Sequence, residues 1–330
     1  MTLTVQGGTV HARRDPIRIA DLSFMHGGVK LQGRLWSPTT AGTHPAVLLI
    51  GGTGKNLRDD FRIYPYLLVK AGYVVLAFDK EGVGDSEGDR SHDEEGIDAL
   101  AEQNLAGVQA LRRLDNVDPG QVGLLGISHG AWVAVRAAHQ DPQVAFVIAI
   151  VGGGVPLADA TLFEVHQRLQ KSQGPGAVQA GDAFMSQVFG ALRAGHAEAL
   201  PKLIDGAKDQ VWFKQTPLAP FVGAPDEVII SIGKQRWADE LAYDPKQDLQ
   251  GLRIPLLAIE GSRDEVVPPE QNLAAFAAAA PGRVTTLMLP GANHGQAFND
   301  GSPLHYSPQL QPSFMAWLRT RDSNRTNLSR

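Results

Sequence analysis

The sequence has no cysteine in its 330 residues. Disulfide bonds and thiolate metal sites are therefore excluded, although the redox compartment cannot be inferred from this absence. It also has no uninterrupted apolar run of about 18 residues, so no membrane-spanning helix is predicted. There is no long basic block, and 30 basic against 35 acidic residues give a net charge of −5, which argues against a nucleic acid or an anionic membrane surface as partner.

The composition is that of a folded globular protein. The hydrophobic content of 43% suffices for a large core, and the length fits one large α/β domain with an insertion or two ordinary domains. The first twenty residues contain no apolar block, so no signal peptide is predicted and we expect a cytoplasmic protein, unless this end is processed or engineered. The sequence leaves the oligomeric state open, and a homodimer is one of the states it allows.

Apolar runs divide the chain into strands and helices. Alternating residues from about 17 to 36, broken at His26-Gly27-Gly28, predict an antiparallel hairpin. Continuous apolar runs such as AVLLI at 46–50 and YVVLAF at 73–78 predict strands that are covered on both faces of a mainly parallel sheet. This alternation of strands and helices stops near Gly152 and resumes at Ile254. We therefore expect a core formed by residues 1–155 and 251–330, with residues 156–250 as a helical lid.

The most informative stretch is VGLLGISHGAWVAVRAA at 122–138. An apolar strand runs into a turn at Ser128, and an apolar helix follows. Gly126 and Gly130 flank the serine, as a nucleophile elbow requires, because side chains two residues to either side would collide in so sharp a bend. The bend exposes the hydroxyl and directs the N-terminus of the next helix toward it, which favours developing negative charge.

A second G-x-S-x-G match, with Ser86 at its centre, lies in the polar loop GVGDSEGDRSHDEEG. No helix follows this loop, so we interpret Ser86 as a loop residue and Ser128 as the nucleophile. The alternative for Ser128 is a tight strand-to-helix turn with no chemical role.

A serine hydroxyl needs a base and a group that orients the base. Asp264 follows the apolar strand PLLAIE and His294 follows VTTLML, so both lie after strands and in the order serine, acid, histidine. Functional residues of open α/β sheets gather at the carboxyl ends of the strands. Alone, either residue could be an ordinary turn or solvated residue; Glu265 is the nearest rival acid. Together the three predict a Ser128-Asp264-His294 triad.

An oxyanion hole needs backbone donors beside the nucleophile. The N–H of His129 follows the serine directly, and the loop Gly52-Thr53-Gly54 after AVLLI offers a second donor, for which we favour Thr53. Gly52 lets the backbone approach a substrate closely and is a candidate substrate contact. Trp132 is another, although its side chain could equally pack against the neighbouring strand.

Other sites are not predicted. The Gly51 loop lacks the Walker spacing, and the GVGDSE segment ends in Glu87 where a dinucleotide motif needs glycine. No H-E-x-x-H motif occurs, so we expect no metal site and no cofactor. The predicted lid is rich in aromatic residues that could line an acyl pocket, but packing of the lid onto the sheet is the favoured role: Phe163, Phe184, Phe189, Trp212, Phe213 and Trp237.

These segments resemble the α/β-hydrolase superfamily over residues 17–318, and within it bacterial serine esterases related to the dienelactone-hydrolase and prolyl-oligopeptidase-like groups. The pieces that carry the resemblance are AVLLIGGTG, YVVLAFDKEGVGDSEG, GLLGISHGAWVA, YDPKQDLQGLRIPLLAIEGSRDEVVP and PGANHG. The resemblance implies an α/β-hydrolase fold, with a mostly parallel sheet flanked by helices and a helical lid. It also implies the roles given above: Ser128 as nucleophile, Asp264 as acid, His294 as base, and Thr53 and His129 as oxyanion donors.

Two positions depart from the family pattern. The histidine that usually precedes the oxyanion glycine is Gly51 here, which leaves open how that loop is held. The Gln-Gly pair common after the nucleophile is His129-Gly130.

The sequence thus predicts a cofactor-independent esterase that forms an acyl-serine intermediate on a small-molecule ester. The same residues could instead cleave amide or peptide bonds, as an aminopeptidase does, or thioesters. A non-catalytic binding module is the alternative from another class.

Overall fold

The computed structural model describes residues 2–5, 8–11, 16–89, 96–298 and 305–328. Its strands are β1 (Thr2–Val5), β2 (Gly8–His11), β3 (Ile17–His26), β4 (Val29–Pro38), β5 (His44–Ile50), β6 (Val74–Phe78), β7 (Val117–Ile127), β8 (Val147–Ile150), β9 (Leu256–Gly261) and β10 (Val284–Leu289).

Eight of these strands form one sheet, in the order β10-β9-β8-β7-β5-β6-β4-β3. The first six strands in this order, β10, β9, β8, β7, β5 and β6, pair in parallel. Strand β4 pairs antiparallel with both β3 and β6. The predicted hairpin is β3–β4, and its turn is made by Gly27 and Gly28 at φ +56° and +86°, which glycine adopts without steric cost. Strands β1 and β2 form a separate antiparallel pair.

The inner parallel strands are covered on both faces, as their apolar runs predict, whereas the edge strand β10 is partly exposed. Neighbouring residues of β5 and β7 alternate between two cores: Leu48 and Leu124 belong to one, Val47 and Leu125 to the other. Each of these side chains is at most 1% exposed. The fold is therefore that of an α/β-hydrolase, with helices against each face of a mostly parallel sheet.

The helices on the two faces come from different parts of the chain. The α-helices are α1 (Tyr64–Lys70), α2 (Ile97–Arg112), α3 (His129–Gln140), α4 (Leu157–Ser172), α5 (Pro175–Arg193), α6 (Leu200–Ala207), α7 (Asp226–Ile232), α8 (Ala238–Ala242), α9 (Lys246–Gly251), α10 (Pro269–Ala279) and α11 (Leu310–Leu328). The first core includes residues of α2, α3, α9 and α10, and the second includes residues of α1 and α11. None of the helices in the described ranges is long and apolar enough to cross a lipid bilayer.

The helical segment between β8 and β9 has an apolar core of its own. Helices α4 to α8 contribute to it, and Phe184 contacts both Trp212 and Phe213, with ring centroids 5.3 and 5.6 Å apart. Helix α9 differs, because its Leu249 is fully buried in the sheet core. The segment that forms this separate core, which we call the insertion, therefore comprises α4 to α8.

Candidate active site

Ser128 sits at a strained turn between β7 and α3. Its φ is +56°, an uncommon value for a residue with a side chain, and its N–H donates to the Ile150 carbonyl oxygen at 2.8 Å. A Cβ at Gly126 would collide with the backbone of Gly130, and a Cβ at Gly130 would collide with the backbone of Ile50. The two glycines are therefore steric requirements of this turn.

A chain of hydrogen bonds joins three predicted residues. His294 Nε2 lies 3.0 Å from Ser128 Oγ, and His294 Nδ1 lies 2.7 Å from Asp264 Oδ2. Since an ionised carboxylate only accepts hydrogen bonds, the imidazole carries its proton on Nδ1 and presents a free Nε2 to the serine hydroxyl. This is the arrangement in which an imidazole can accept the proton of a serine.

Asp264 is fixed by the backbone around it. Its side chain is buried, and Oδ1 accepts hydrogen bonds from the N–H groups of Val266 and Val267 at 2.8 and 2.9 Å. This leaves Oδ2 for the histidine. Glu265, the rival acid in the sequence, is half-buried and instead forms an ion pair with Lys171.

Of the two predicted oxyanion donors, His129 directly follows the serine in the chain, and Thr53 follows Gly52. Gly52 lies so close to it that a Cβ there would be 3.2 Å from the Cβ of Ser128. Within the part of the chain that the structure describes, neither the Thr53 N–H nor the His129 N–H donates to a protein acceptor. Neither N–H is therefore occupied by a hydrogen bond within the described part of the protein.

A cavity opens on each side of these residues. One, of about 230 Å³, is lined by Ser128 and His294 together with polar side chains such as Asn56 and Gln296. The other, of about 180 Å³, begins at Thr53 and His129 and extends beneath the insertion. Most of the remaining lining of this second cavity is apolar: Leu157, Met185, Val188, Phe189, Leu192, Pro217, Leu218, Trp237 and Leu241.

Two carboxylates from the insertion, which the sequence analysis did not single out, line the same apolar cavity. Glu240 Oε1 lies 3.3 Å from His129 Nε2, and Glu164 is held by Arg168 one helical turn along α4. Burial raises the pKa of Glu164 above its ordinary value, against the opposing effect of the Arg168 charge. In the sequence, each of them is an acidic residue beside apolar ones. This pattern does not predict which way the side chain points.

The structure corrects one predicted substrate contact. Trp132 is 2% exposed, and its indole N–H donates to the carbonyl oxygen of Val155 at 2.7 Å. It lies in the sheet core and lines neither cavity beside the serine. Position 132 on α3 faces the sheet because a helix that leaves the elbow must bury its apolar side. Gly52, the other predicted contact, lines the cavity that contains Ser128.

Ser86 has structural partners, in line with its interpretation as a loop residue. Its hydroxyl donates to the carbonyl oxygen of Asp79 at 2.6 Å and accepts from the N–H of Gln32 at 2.9 Å. These bonds tie the loop after β6 to β4. In the described ranges, no cluster of three histidine or acidic side chains is arranged to hold a metal ion.

The chain matches a known protein family over most of its length. The family model described as X-Pro dipeptidyl-peptidase (S15 family) matches residues 27–296. The chain is 31% identical to the quorum-quenching protein AidA of Acinetobacter baumannii over 129 residues, which cover 39% of this chain and 42% of that protein. It is 27% identical to the esterase FrsA of Photobacterium profundum over 140 residues, 42% of this chain and 32% of the relative. The chain thus covers less than half the length of either relative.

Solved structures share the fold. Est1E from Butyrivibrio proteoclasticus, solved with ferulic acid bound, matches with a TM-score of 0.56 at 16% identity, over 92% of this chain and 98% of that one.

Proposed function

This chain belongs to the X-Pro dipeptidyl-peptidase (S15) family and is a hydrolase of the α/β-hydrolase fold, and we propose that its substrates are carboxylic esters. The observation that carries the proposal is the continuous set of hydrogen bonds from Ser128 through His294 to Asp264. In this proposal the three residues act as nucleophile, base and orienting acid.

The proposed reaction has two halves. Ser128 Oγ bonds to the ester carbonyl carbon while its proton moves to His294 Nε2, and the alcohol then leaves with that proton. Water attacks the acyl-serine in the same way and releases the carboxylic acid and the free serine. In both halves Asp264 holds the imidazole in the required tautomer and stabilises its charged form.

Two backbone donors are proposed to stabilise the negative oxygen of each tetrahedral intermediate. The N–H groups of Thr53 and His129 have no protein acceptor among the described residues, and both residues line the acyl cavity proposed below. An oxyanion donor of this kind typically contributes about 10²- to 10³-fold in rate.

The apolar cavity beneath the insertion supports an apolar acyl group as the substrate part that binds there. Its volume of about 180 Å³ is below the range of about 300–1,000 Å³ that drug-sized ligands occupy. We therefore propose short acyl chains, the insertion as their lid, and the more polar cavity around His294 and Gln296 as the site of the alcohol. The relative named as an esterase agrees with this proposal.

Glu164 and Glu240 favour a second candidate. Two carboxylates in an otherwise apolar cavity could bind the ammonium group of an aminoacyl or peptide substrate, and the matched family is described by a peptidase activity. In that case the bond cleaved is an amide, with the same three residues in the same roles.

The test is turnover of p-nitrophenyl esters from acetate to long chains, of an aminoacyl p-nitroanilide and of an acyl thioester, with wild type and Ser128→Ala. Ester turnover that peaks at a short chain and disappears in Ser128→Ala is expected. Val188→Phe, which fills the proposed acyl cavity, should move that peak to a shorter chain. Turnover of the anilide or thioester alone would replace the ester proposal, and turnover of nothing would favour a binding module.

A further inference from the structure

We propose that Lys80 is the positioning residue of the oxyanion loop Gly51-Gly52-Thr53-Gly54, an inference that rests on the proposed function. Lys80 is 8% exposed and lies two residues after β6. Its Nζ donates to the carbonyl oxygen of Gly52 at 2.9 Å and to that of Gly54 at 3.4 Å. One ammonium group therefore binds the carbonyls on both sides of Thr53.

The geometry of the peptide unit shows what this contact controls. The C=O of Gly52 and the N–H of Thr53 belong to the same planar trans peptide and point in opposite directions. When the carbonyl is directed at Lys80, the N–H must point to the other side of the loop. Gly52 lies against Ser128, so the direction of the Gly52–Thr53 peptide decides whether this N–H faces the reacting centre.

Few other contacts among the described residues hold this peptide in place: the other hydrogen bond on the loop runs from the Asn56 N–H to the Gly54 carbonyl oxygen at 3.0 Å and does not involve the Gly52 carbonyl. Three of its four residues are glycines, which lose the most conformational freedom when ordered, and Gly54 has a φ of +97°. Position 51 has no side chain, and the space beside its Cα is taken by the side chain of Asn56. The loop therefore depends on a contact from outside, and Lys80 supplies one.

Lys80 itself starts from a rigid base. The neighbouring Asp79 is 1% exposed and accepts hydrogen bonds from the N–H groups of Arg58 and Asp85 at 2.7 and 3.0 Å. Its carboxylate also forms an ion pair with the guanidinium of Arg58. The backbone from which Lys80 projects is thereby joined to the segment that follows the oxyanion loop.

The experiment compares Lys80→Met, which keeps the length but loses the donors, with Lys80→Arg, which keeps a donor, and with Lys55→Met. Lys55 is a matched control, because it is an exposed lysine one residue beyond the loop. The first readout is the rate at which a fluorophosphonate labels Ser128, since the phosphoryl oxygen of this probe occupies the oxyanion position and no natural substrate is needed. The second is kcat and KM for the best p-nitrophenyl ester.

For Lys80→Met we expect labelling and kcat to fall together by about 10- to 100-fold, with KM little changed, because the donor is needed mainly in the transition state. Lys80→Arg should recover part of both, and Lys55→Met should match wild type. Binding of an alkylboronic acid, which forms a tetrahedral anion on the serine, should weaken in proportion to kcat/KM, which a purely structural lysine would not cause.

Wild-type rates in a folded Lys80→Met protein would overturn the proposal, and so would a loss that appears in KM alone. If wild type is labelled but cleaves no ester, the ester assignment fails while the labelling rates still test Lys80. If Ser128 is not labelled in wild type, both ideas fail.

Discussion

Nε2 of His129 lies 3.3 Å from Oε1 of Glu240, and the two side chains are buried, at 7% and 10% exposure. His129 directly follows Ser128, and Glu240 belongs to α8 of the insertion. This contact therefore links the insertion to the residue whose backbone N–H is proposed to bind the oxyanion.

The strength of this link can be measured with a double-mutant cycle of Glu240→Gln and His129→Gln. We expect a coupling energy of about 0.5–3 kcal/mol in the free energy of unfolding, because the two groups are in contact and shielded from water. Activity on the shortest ester should persist in His129→Gln, since the proposed contribution of position 129 is its N–H. Additive effects in urea denaturation would show that the contact contributes nothing.

The choice between the two G-x-S-x-G serines gives a second prediction. Ser128→Ala should abolish turnover without unfolding the protein. Ser86→Ala should keep kcat but lower the free energy of unfolding by about 1–3 kcal/mol, because its hydroxyl makes two hydrogen bonds that alanine cannot replace. Kinetics and urea denaturation on both variants test this, and equal kcat in the two would refute the assignment of the elbow.

Asp264→Asn should lower kcat by about 10⁴-fold. The asparagine oxygen would keep the bonds from the N–H groups of Val266 and Val267, so its NH₂ would face His294 Nδ1. The imidazole would then carry its proton on Nε2 and could not accept the proton of Ser128. Glu265→Gln is the control, and its kcat should match wild type because Glu265 forms an ion pair with Lys171 and not with His294. A large loss in the control instead would make Glu265 the functional acid.

The buried carboxyl group of Glu260 should make the free energy of unfolding depend on pH. It is fully buried on β9, where burial, and then the charge of Asp264, raise its pKa well above the ordinary value, against the opposing hydrogen bond from Asn272. In the unfolded chain such a carboxyl has a pKa of about 4.3. Between that pH and the raised pKa the folded chain keeps a proton that the unfolded chain has lost, so the free energy of unfolding falls as pH rises.

Glu260→Gln removes this titration and can keep the bond from Asn272. The advantage of the variant over wild type should therefore grow with pH above about 4.3, by at most about 1.4 kcal/mol per unit, and level off above the folded-state pKa. Urea denaturation from pH 4.5 to 8 measures it. The exposed Glu227, changed to Gln, is the control and should show a constant offset. A constant offset for Glu260→Gln as well would contradict the assigned shift.

Much of the fold and of the candidate site can be predicted from the sequence, because the apolar strands define the sheet and the candidate site lies where those strands end. Continuous apolar runs indicate strands buried on both faces, and parallel strands bring the residues after them to one edge of the sheet. Ser128 and Asp264 each follow such a run, and His294 follows the parallel edge strand β10, so their proximity could be predicted without knowing any side-chain contact.

Side-chain directions could not be predicted in the same way. Trp132 and His129 lie three residues apart on one helix, yet the first is in the sheet core and the second lines a cavity. The proposed roles of Glu240 and Lys80 depend on contacts with segments far away in the sequence. Periodicity determines which face of an element is apolar, but it does not determine what packs opposite a polar side chain.

The position of the insertion between β8 and β9 has a consequence for how substrate preference can change. Ile150 ends one strand, Leu256 begins its parallel neighbour, and the insertion that covers the apolar cavity lies between them. The entropic cost of closing such a loop grows with the logarithm of its length, by only about 0.6 kcal/mol per doubling. The entropy of closing the chain therefore sets little limit on the length of the insertion. Under the proposed function, replacing this one segment would change the acyl preference while leaving the polar groups at the strand ends in place.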